Sequence, residues 1–444
     1  MSKNEFNEKA GRKGLSDDAL LDLVQRETLK YFTDFAHPNC GMARERSNAN
    51  LKDWGYDLDC VTTGGTGFGI MGMVAGAERG FITKDELREQ LEKIVGFLDK
   101  ADKYHGAFSH FYDGNTGKTI PFTKKDDGGD IVETSFLIMG LLTARQYLEK
   151  TPEASALCDK INKLWEGVEW DWYTQGKNDL YWHWSPNHDF AMNLPIRGWN
   201  ECLITHVLAA SSPTHPVSTD VYEKGWAKKG GQFENGTNHD GVTLPLGPDR
   251  GGPLFFSHYS FLGLNPKQLK DGHADYWEQN TAHALINRQH CINNPNGFKG
   301  YGPDCWGLTA CDSPDIYGAH APDNDKGVIA PTAALSSFPY TPVQSMQALR
   351  HFYEDLGDKI WGKYGFVDSF CEEKNWYAKS HLSIDQGPIV VMIENHRSGL
   401  LWDLFMSCPE VRHGLDRLGF ASHEDVQPAA RPVPPARSAT PPAP

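Results

Sequence analysis

The chain has 444 residues, 39% of them hydrophobic, so it can bury a sizeable core either as two or three domains or as one large barrel. Its formal net charge is −15 and no long basic run occurs, which argues against nucleic acids and anionic membrane surfaces as partners. No apolar run reaches transmembrane length, and the N-terminal residues lack the apolar stretch of a signal peptide. As written, the sequence predicts a cytoplasmic protein and we expect a monomer; a chain that had lost an export signal would be periplasmic or secreted.

The cysteines and histidines give no sign of a metal or redox centre. The nine cysteines are odd in number and scattered, so we expect reduced, buried thiols. No HExxH motif occurs among the histidines. A G-x-G-x-x-G match at 67–72 lacks a preceding strand and a βαβ unit, and small residues at helical spacing favour close helix packing over a dinucleotide site. We therefore expect neither a metal nor an organic cofactor.

Along the chain the sequence predicts helix after helix, and two kinds of helix alternate. Segments 17–36 and 84–100 each have one apolar face, and the second opens with a capping box from Thr83 to Glu86. Another one-sided helix begins at Pro342. Several segments carry almost no charge and are expected to be buried on all sides: 66–77, 131–144, 201–210 and 388–406.

This alternation predicts an all-α fold, a toroid in which a ring of inner helices lies inside a ring of outer ones. A helical-repeat solenoid is the alternative, but the sequence has no consistent 34-residue repeat. We expect an N-terminal extension at 1–14 and one catalytic barrel domain at 15–426. The tail at 427–444 is mostly Pro, Ala and small polar residues, so we expect it to be disordered.

Carboxylates at the starts of inner helices are the strongest candidates for a functional site. Inner helices of such a barrel run parallel, so their N-terminal residues gather at one end. Asp126, Asp130 and Glu133 flank the start of one inner helix. Glu201 begins a second and Asp385 a third. Capping would explain Asp130 alone, but a cap needs a single acid and this segment has several.

Two of these acids are expected to differ in charge. Glu201 lies on a helix with no other charge, and burial near other carboxylates raises a carboxyl pKa, as a general acid at neutral pH requires. Asp385 lies at a helix start, where the helix dipole favours the charged form of a carboxyl and so suits a base that activates water. An ordinary N-cap is the alternative interpretation of Asp385.

The loops between the inner helices supply aromatic rings and guanidinium groups. Sugar-binding sites combine such stacking faces with fork-like hydrogen-bond donors, although ordinary loops also contain them and the signal is weak on its own. The candidate substrate-binding residues are Arg44, Arg46, Trp54, Arg197, Trp199, Trp306 and Tyr317.

Long blocks of the sequence resemble a known family. They include VTTGGTGFGIMGMVAGAERGFIT, DDGGDIVETSFLIMGLLTARQY, RGWNECLITHVLAASSPTHP and SIDQGPIVVMIENHRSGLLW. The chain is similar to the glycoamylase-like domain family, glycoside hydrolase family 144, over residues 15–420. Characterised members of that family hydrolyse β-1,2-glucans.

The resemblance implies an (α/α)6 barrel and metal-free, anomer-inverting hydrolysis of a β-glucan oligosaccharide or polysaccharide. By resemblance, the functional acids fall on the five carboxylates named above, with Glu201 as the proton donor and Asp385 as the base. Endo-acting hydrolysis is the first hypothesis, and an exo-acting β-1,2-glucosidase or sophorose-releasing enzyme is the second. A non-catalytic glycan-binding barrel is the third, but binding alone would not need a lone glutamate on an apolar helix.

Overall fold

The computed structural model describes residues 12–48, 57–227 and 233–421, and helices dominate it. Trp54, the Pro-rich tail and most of the N-terminal extension lie outside these ranges. The helices, numbered in chain order, are α1 (Asp17–Thr33), α2 (Thr63–Arg79), α3 (Lys84–Leu98), α4 (Ile131–Leu148), α5 (Ser155–Glu166), α6 (Leu203–Ser211), α7 (Tyr276–Asn293), α8 (Pro331–Leu335), α9 (Pro342–Arg350), α10 (Gly357–Ile360), α11 (Ser383–Arg397), α12 (Leu400–Met406) and α13 (Pro409–Arg417).

Short β-strands lie in the loops between the helices. They are β1 (Cys60–Thr62), β2 (Lys103–Tyr104), β3 (Ala107–Phe108), β4 (Phe111–Asp113), β5 (Thr119–Ile120), β6 (Gly129–Asp130), β7 (His183–Trp184), β8 (Asn238–His239), β9 (Val242–Thr243), β10 (Ala310–Cys311), β11 (Gly318–Ala319), β12 (Trp361–Gly362), β13 (Gly365–Phe366), β14 (Phe370–Cys371) and β15 (Trp376–Tyr377). Strands β1, β4 and β5 form an antiparallel sheet in the order β1-β4-β5, and the others form antiparallel pairs. The pair β6–β7 sets Asp130 opposite His183.

The inner ring contains the charge-poor helices. Helices α2, α4, α6 and α11 are buried along most of their length and on all sides. Helix α2 packs between α4 and α11, and α4 packs on α6, while α8 and the short turn Ser260–Leu262 complete the ring. Helices α1, α3 and α5 bury one face and expose the other. The predicted toroid is therefore confirmed as an (α/α)6 barrel.

Glycines allow α2 and α4 to approach backbone to backbone. A β-carbon on Gly67 would overlap the carbonyl of Phe136, and one on Gly140 would overlap the carbonyl of Gly67. Strand β1 does precede α2, but it has only three residues and pairs antiparallel with β4, so no βαβ unit is present there. The glycine pattern at 67–72 thus serves helix packing, as predicted.

Two inner helices differ from the prediction in their boundaries. The helix expected over 388–406 is two helices, because the chain breaks at Gly399, whose φ of 73° is left-handed. The helix expected at 201–210 begins at Leu203, so Glu201 lies in the turn that precedes α6. The capping box of Thr83 and Glu86 is confirmed at the start of α3.

The cysteines behave as expected. All nine are free thiols, and all but Cys158 are buried. Across the described residues, every helix is too short or too polar to cross a lipid bilayer.

Candidate active site

Asp130 is both a helix cap and the centre of a charged cluster. Its Oδ1 atom accepts hydrogen bonds from two backbone N–H groups in the first turn of α4, each at 2.9 Å. Its Oδ2 atom accepts a hydrogen bond from Trp182 Nε1 at 3.2 Å, and lies 3.4 Å from His110 Nδ1 and 3.5 Å from His183 Nε2. Capping and a functional site, which the sequence left as alternatives, therefore coincide in one buried side chain.

Two further carboxylates complete this cluster. Asp126 Oδ2 lies 3.2 Å from His183 Nε2. Glu133 Oε2 accepts a hydrogen bond from the backbone N–H of Gly64 at 2.7 Å, and its other oxygen lies 3.9 Å from His110 Nε2. Because Gly64 is in the first turn of α2, Glu133 joins the starts of two inner helices. We call this group the histidine cluster; it consists of His110, Asp126, Asp130, Glu133 and His183.

The histidines of this cluster are cationic at neutral pH. Burial lowers the pKa of His110, but attraction to Glu133 and a hydrogen bond with Asp130 outweigh burial and raise that pKa to about 9. Burial likewise opposes the effect of Asp126 and Asp130 on His183, whose pKa still rises to about 10. Burial would raise the pKa of Asp130, yet hydrogen bonds from both histidines hold it well below its usual range.

Glu201 lies beside this cluster in the turn before α6. Its backbone carbonyl accepts a hydrogen bond from the Ser260 hydroxyl, and the residue is half-buried. Burial is the main cause that raises the pKa of Glu201 to about 7, and the nearby charges of Glu133 and Asp130 add to it. The expectation of a carboxyl that titrates near neutral pH is therefore confirmed for Glu201.

A second group of acids lies around one guanidinium. Arg46 Nε is 2.9 Å from Glu45 Oε2, and Arg46 Nη1 is 3.1 Å from Asp312 Oδ2. The backbone N–H of Asp312 donates to Asp368 Oδ2 at 2.6 Å, and a hydrogen bond joins the carboxyls of Asp368 and Asp385. We call this group the arginine cluster; it consists of Glu45, Arg46, Asp312, Asp368 and Asp385.

The environment of Asp385 is the opposite of the one expected from sequence. Asp385 is the third residue of α11, and the N-cap position is taken by Leu382, so Asp385 is not a cap. Burial, followed by the charge and hydrogen bond of Asp368, raises the pKa of Asp385 well above its usual range. The favourable field of a helix start is worth only about 0.3–1 kcal/mol, which is too little to offset burial beside a second carboxyl.

The two clusters lie at the same end of the barrel. Burial, followed by nearby charges that include those of Asp385, Glu201 and Glu133, raises the pKa of Tyr259 well above its usual range, so acids of both clusters lie near this buried side chain. Tyr317 faces Asp385 and is half-buried. The structure thus brings together the acids that the sequence placed at the starts of different inner helices.

Two tryptophans expected to bind sugar belong to the core instead. Trp306 is fully buried, and Trp199 is 3% exposed. A sugar ring cannot stack on a side chain that has no accessible face, so both were wrong as substrate-binding candidates. The rings around Trp199 are those of Trp226, Phe233, Phe261 and Tyr276.

The three arginines predicted to bind substrate lie in different surroundings. Arg46 holds the arginine cluster together, and the guanidinium of Arg44 lies over the ring of Phe35 at 4.8 Å. Arg197 is half-exposed and donates two hydrogen bonds of 2.7 Å to Asp179. It lines a separate cavity of about 590 Å³ to which neither cluster contributes a residue, and its role in substrate binding stays a prediction.

Several site residues were missed by the sequence analysis. His110 and His183 follow no ligand spacing, and Asp368 and Tyr259 lie in loops and short turns without a helical pattern. Phe122 is 54% exposed and stacks on His110 with ring centroids 4.5 Å apart. Trp182 and Trp184 flank His183 and were the feature of the sequence that could have indicated it, because they mark an aromatic segment, and Trp182 contacts Asp130.

The histidine cluster offers metal-ligating atoms. Donor atoms of His110, Asp126 and Asp130 lie within 4.8 Å of one another. A cation would first have to displace the proton that the surrounding acids hold on His110. The absence of a metal therefore stays an expectation from sequence.

Family models match two parts of the chain. Residues 193–409 match a family described as "Putative glucoamylase", and residues 24–169 match a family described as a protein of unknown function, DUF3131. The second segment contains the histidine cluster up to Glu133, and the first contains Glu201 and Asp385.

Solved and curated relatives extend over nearly the whole chain. An endo-β-1,2-glucanase from Chitinophaga pinensis, in complex with sophorotriose and glucose, is 55% identical; the match covers 92% of this chain and 99% of that one, with a TM-score of 0.90. A β-1,2-glucanase structure from Parabacteroides distasonis is 45% identical over 91% of this chain and 60% of that one, with a TM-score of 0.88.

A curated protein from Parabacteroides distasonis is named exo β-1,2-glucooligosaccharide sophorohydrolase (non-reducing end). It is 46% identical over 426 residues, which are 91% of this chain and 58% of that protein. The chain thus spans a little over half the length of this curated relative.

Proposed function

Because the chain belongs to the glycoamylase-like family, glycoside hydrolase family 144, we propose that it hydrolyses β-1,2-linked glucans. Two relatives support this substrate, since each is named for action on β-1,2-linked glucose. The protonation of Glu201 is the observation that most supports acid-catalysed cleavage of a glycosidic bond. Glu201 is a half-buried carboxyl whose pKa of about 7 leaves it substantially protonated at neutral pH, beside the histidine cluster with its ionised Asp130.

In this proposal Glu201 donates its proton to the glycosidic oxygen as the bond to the anomeric carbon breaks. Asp385 accepts the proton of the attacking water, either directly or through a substrate hydroxyl. Attack from the face opposite the leaving group inverts the anomeric configuration.

We propose endo action first, because the endo-acting relative is 55% identical and is covered almost completely by this chain. Exo action that releases sophorose is the second candidate, favoured by the name of the curated relative. Both activities would use the same acids, and they differ in how many glucose units of the substrate bind on each side of the bond that is cleaved.

Incubation with linear β-1,2-glucan, laminarin, cellulose oligomers and starch, followed by chromatography of the products, tests the substrate. We expect hydrolysis of the β-1,2 polymer and none of starch. A ladder of oligomers would indicate endo action, and a single disaccharide exo action. Activity on starch without activity on β-1,2-glucan would contradict the proposal.

Proton NMR of the first-formed product tests the stereochemistry. We expect the α anomer to accumulate before mutarotation, as inversion of a β linkage requires. A β anomer would transfer the catalytic roles to the histidine cluster, whose acids are close enough for a nucleophile and acid–base pair.

A further inference from the structure

The arginine cluster contains a carboxyl for which the reaction above has no role. Asp368 and Asp385 are 3% exposed each, and a hydrogen bond joins their side chains. Asp368 Oδ1 and Asp385 Oδ2 have no donor group among the described residues. Two carboxylates cannot hydrogen-bond to each other unless one of them carries a proton. The pair therefore holds at least one proton, and it can accept a second only while it holds one.

The surroundings hold Asp368 in a single orientation. Its second oxygen accepts the backbone N–H of Asp312 at 2.6 Å. The carboxylate of Asp312 is fixed in turn by Arg46 and by the hydroxyl of Ser380.

The pair faces more acids than cations. Burial is the largest cause that raises the pKa of both carboxyls. The charge of Asp312 raises the pKa of Asp368 further, and the charge and hydrogen bond of Asp368 raise that of Asp385. The one cation of the cluster, Arg46, is shared with two other carboxylates. The titratable and charged groups that face the pair are Glu45, Arg46, Cys311, Asp312, Tyr259 and Tyr317.

We propose that Asp368 is a positioning residue that takes up the shared proton when Asp385 accepts the proton of the attacking water. This inference rests on the proposed function, because it assumes that Asp385 is the base. The two carboxyls act as one unit that passes from one bound proton to two.

The step balances without any other reactant. The water oxygen forms its bond to the anomeric carbon while one O–H bond of the water breaks, and that proton binds Asp385. The glycosidic C–O bond breaks with its electron pair on the leaving oxygen, which takes the proton of Glu201. Transfer of a proton from the pair to solvent and of one from solvent to Glu201 restores the enzyme.

Asp368→Asn separates positioning from a structural role. An asparagine keeps the shape, can accept the Asp312 N–H and can donate to Asp385, but it cannot take up a proton. We expect kcat on β-1,2-glucan to fall on the order of tenfold to a hundredfold while KM stays within about twofold. The matched control is Asp325→Asn, which replaces a carboxyl whose side chain is 2% exposed and which is bonded to His290 and Tyr301, and it should leave kcat unchanged.

A titration that needs no activity completes the test. In wild-type enzyme with ¹³C-labelled aspartate carboxyls, we expect signals still titrating above about pH 6, outside the ordinary aspartate range. In Asp368→Asn the signal of residue 368 is absent, and that of Asp385 should titrate at lower pH because the charge of Asp368 no longer raises its pKa. Wild-type kcat in Asp368→Asn, or completed titration of all aspartates below pH 6, would overturn the inference. If Asp385→Asn were itself fully active, the assignment of the base would fail instead, so the two failures are distinguishable.

Discussion

The histidine cluster and the arginine cluster both bury several carboxyls at the same end of the barrel, yet they hold protons differently. In the histidine cluster, two imidazoles are cationic and the carboxyl of Asp130 has a pKa well below its usual range. In the arginine cluster, one guanidinium serves several acids, and the pKa values of Asp368 and Asp385 rise.

The difference shows that direct contact with cations, more than burial, decides whether a buried acid is ionised. Asp130 contacts two imidazoles and its pKa is low, whereas burial raises the pKa of Glu133, which lies 3.9 Å from one imidazole, to about 7. Burial is the largest single influence on the carboxyl pKa in both clusters. Two imidazoles reverse that influence at Asp130, and the single guanidinium of Arg46 does not reverse it at Asp368 and Asp385. This end of the barrel therefore contains one ion-paired carboxylate, Asp130, and one pair of carboxyls that can exchange a proton.

Removal of the proposed proton donor should have the largest effect. Glu201→Gln keeps the shape of the side chain but cannot donate a proton, so we expect kcat to fall by roughly two to four orders of magnitude. Oligosaccharide binding, measured by calorimetry, should persist. Glu223→Gln on the separate cavity is the control and should have wild-type kcat. Near-normal turnover by Glu201→Gln would assign proton donation to the histidine cluster instead.

Neutralisation of one acid in each cluster compares their contributions to stability. Asp130→Asn still caps α4 but removes the carboxylate that His110 and His183 share, leaving Glu133 and Asp126 as their remaining anions, so we expect a loss of about 3 kcal/mol in unfolding free energy. Asp385→Asn removes a carboxyl from a pair that already shares a proton, and stability should change by less than about 1 kcal/mol. Urea unfolding at pH 7 measures both, and equal losses would contradict the difference between the clusters.

The pH dependence of stability tests the same difference. The pKa values of about 9 for His110 and about 10 for His183 exceed the unfolded value of about 6.5. Their contribution is therefore complete below about pH 6.5 and is lost as the pH rises through 9 and 10. Asp368 and Asp385 have raised pKa values, so the folded state keeps protons that the unfolded chain releases above about pH 4. The contribution of these two carboxyls to the unfolding free energy therefore also falls as pH rises, but the fall begins at lower pH than for the histidines.

Two variants separate these ranges. His183→Gln should flatten the decline in unfolding free energy between about pH 8 and pH 10, and Asp368→Asn should flatten the decline between about pH 4 and pH 7. Denaturant unfolding across pH measures each slope. The assignment of the ranges would be wrong if His183→Gln changed only the acidic part of the curve.

The smallest effect is expected outside both clusters. Arg197→Ala removes a half-exposed guanidinium whose partner is Asp179, so kcat/KM on β-1,2-glucan should change by less than about twofold. Steady-state kinetics with oligosaccharides of increasing length checks this. A tenfold loss that appears only with long substrates would show that the glucan extends into the neighbouring cavity.

Helix pattern and helix starts could be predicted from sequence because both follow from local periodicity. The charge-poor segments form the inner ring, and the isolated Glu201 has the raised pKa expected of it. The opposite behaviour of Asp385 could not be predicted, because it depends on Asp368, which lies 17 positions earlier in a loop between short strands. Sequence distance hides such pairs, and composition cannot separate a buried tryptophan such as Trp306 from one that binds a sugar.

The contact between Gly67 and Gly140 links catalysis to sites that carry no functional group. Helices α2 and α4 touch there backbone to backbone, and the same two helices are joined at their starts by the hydrogen bond from Gly64 to Glu133. A methyl group at either glycine would push the helices apart and lengthen that bond. Natural variation at these glycines would therefore alter enzyme performance without touching a single ionisable atom, and a screen of charged residues alone would overlook it.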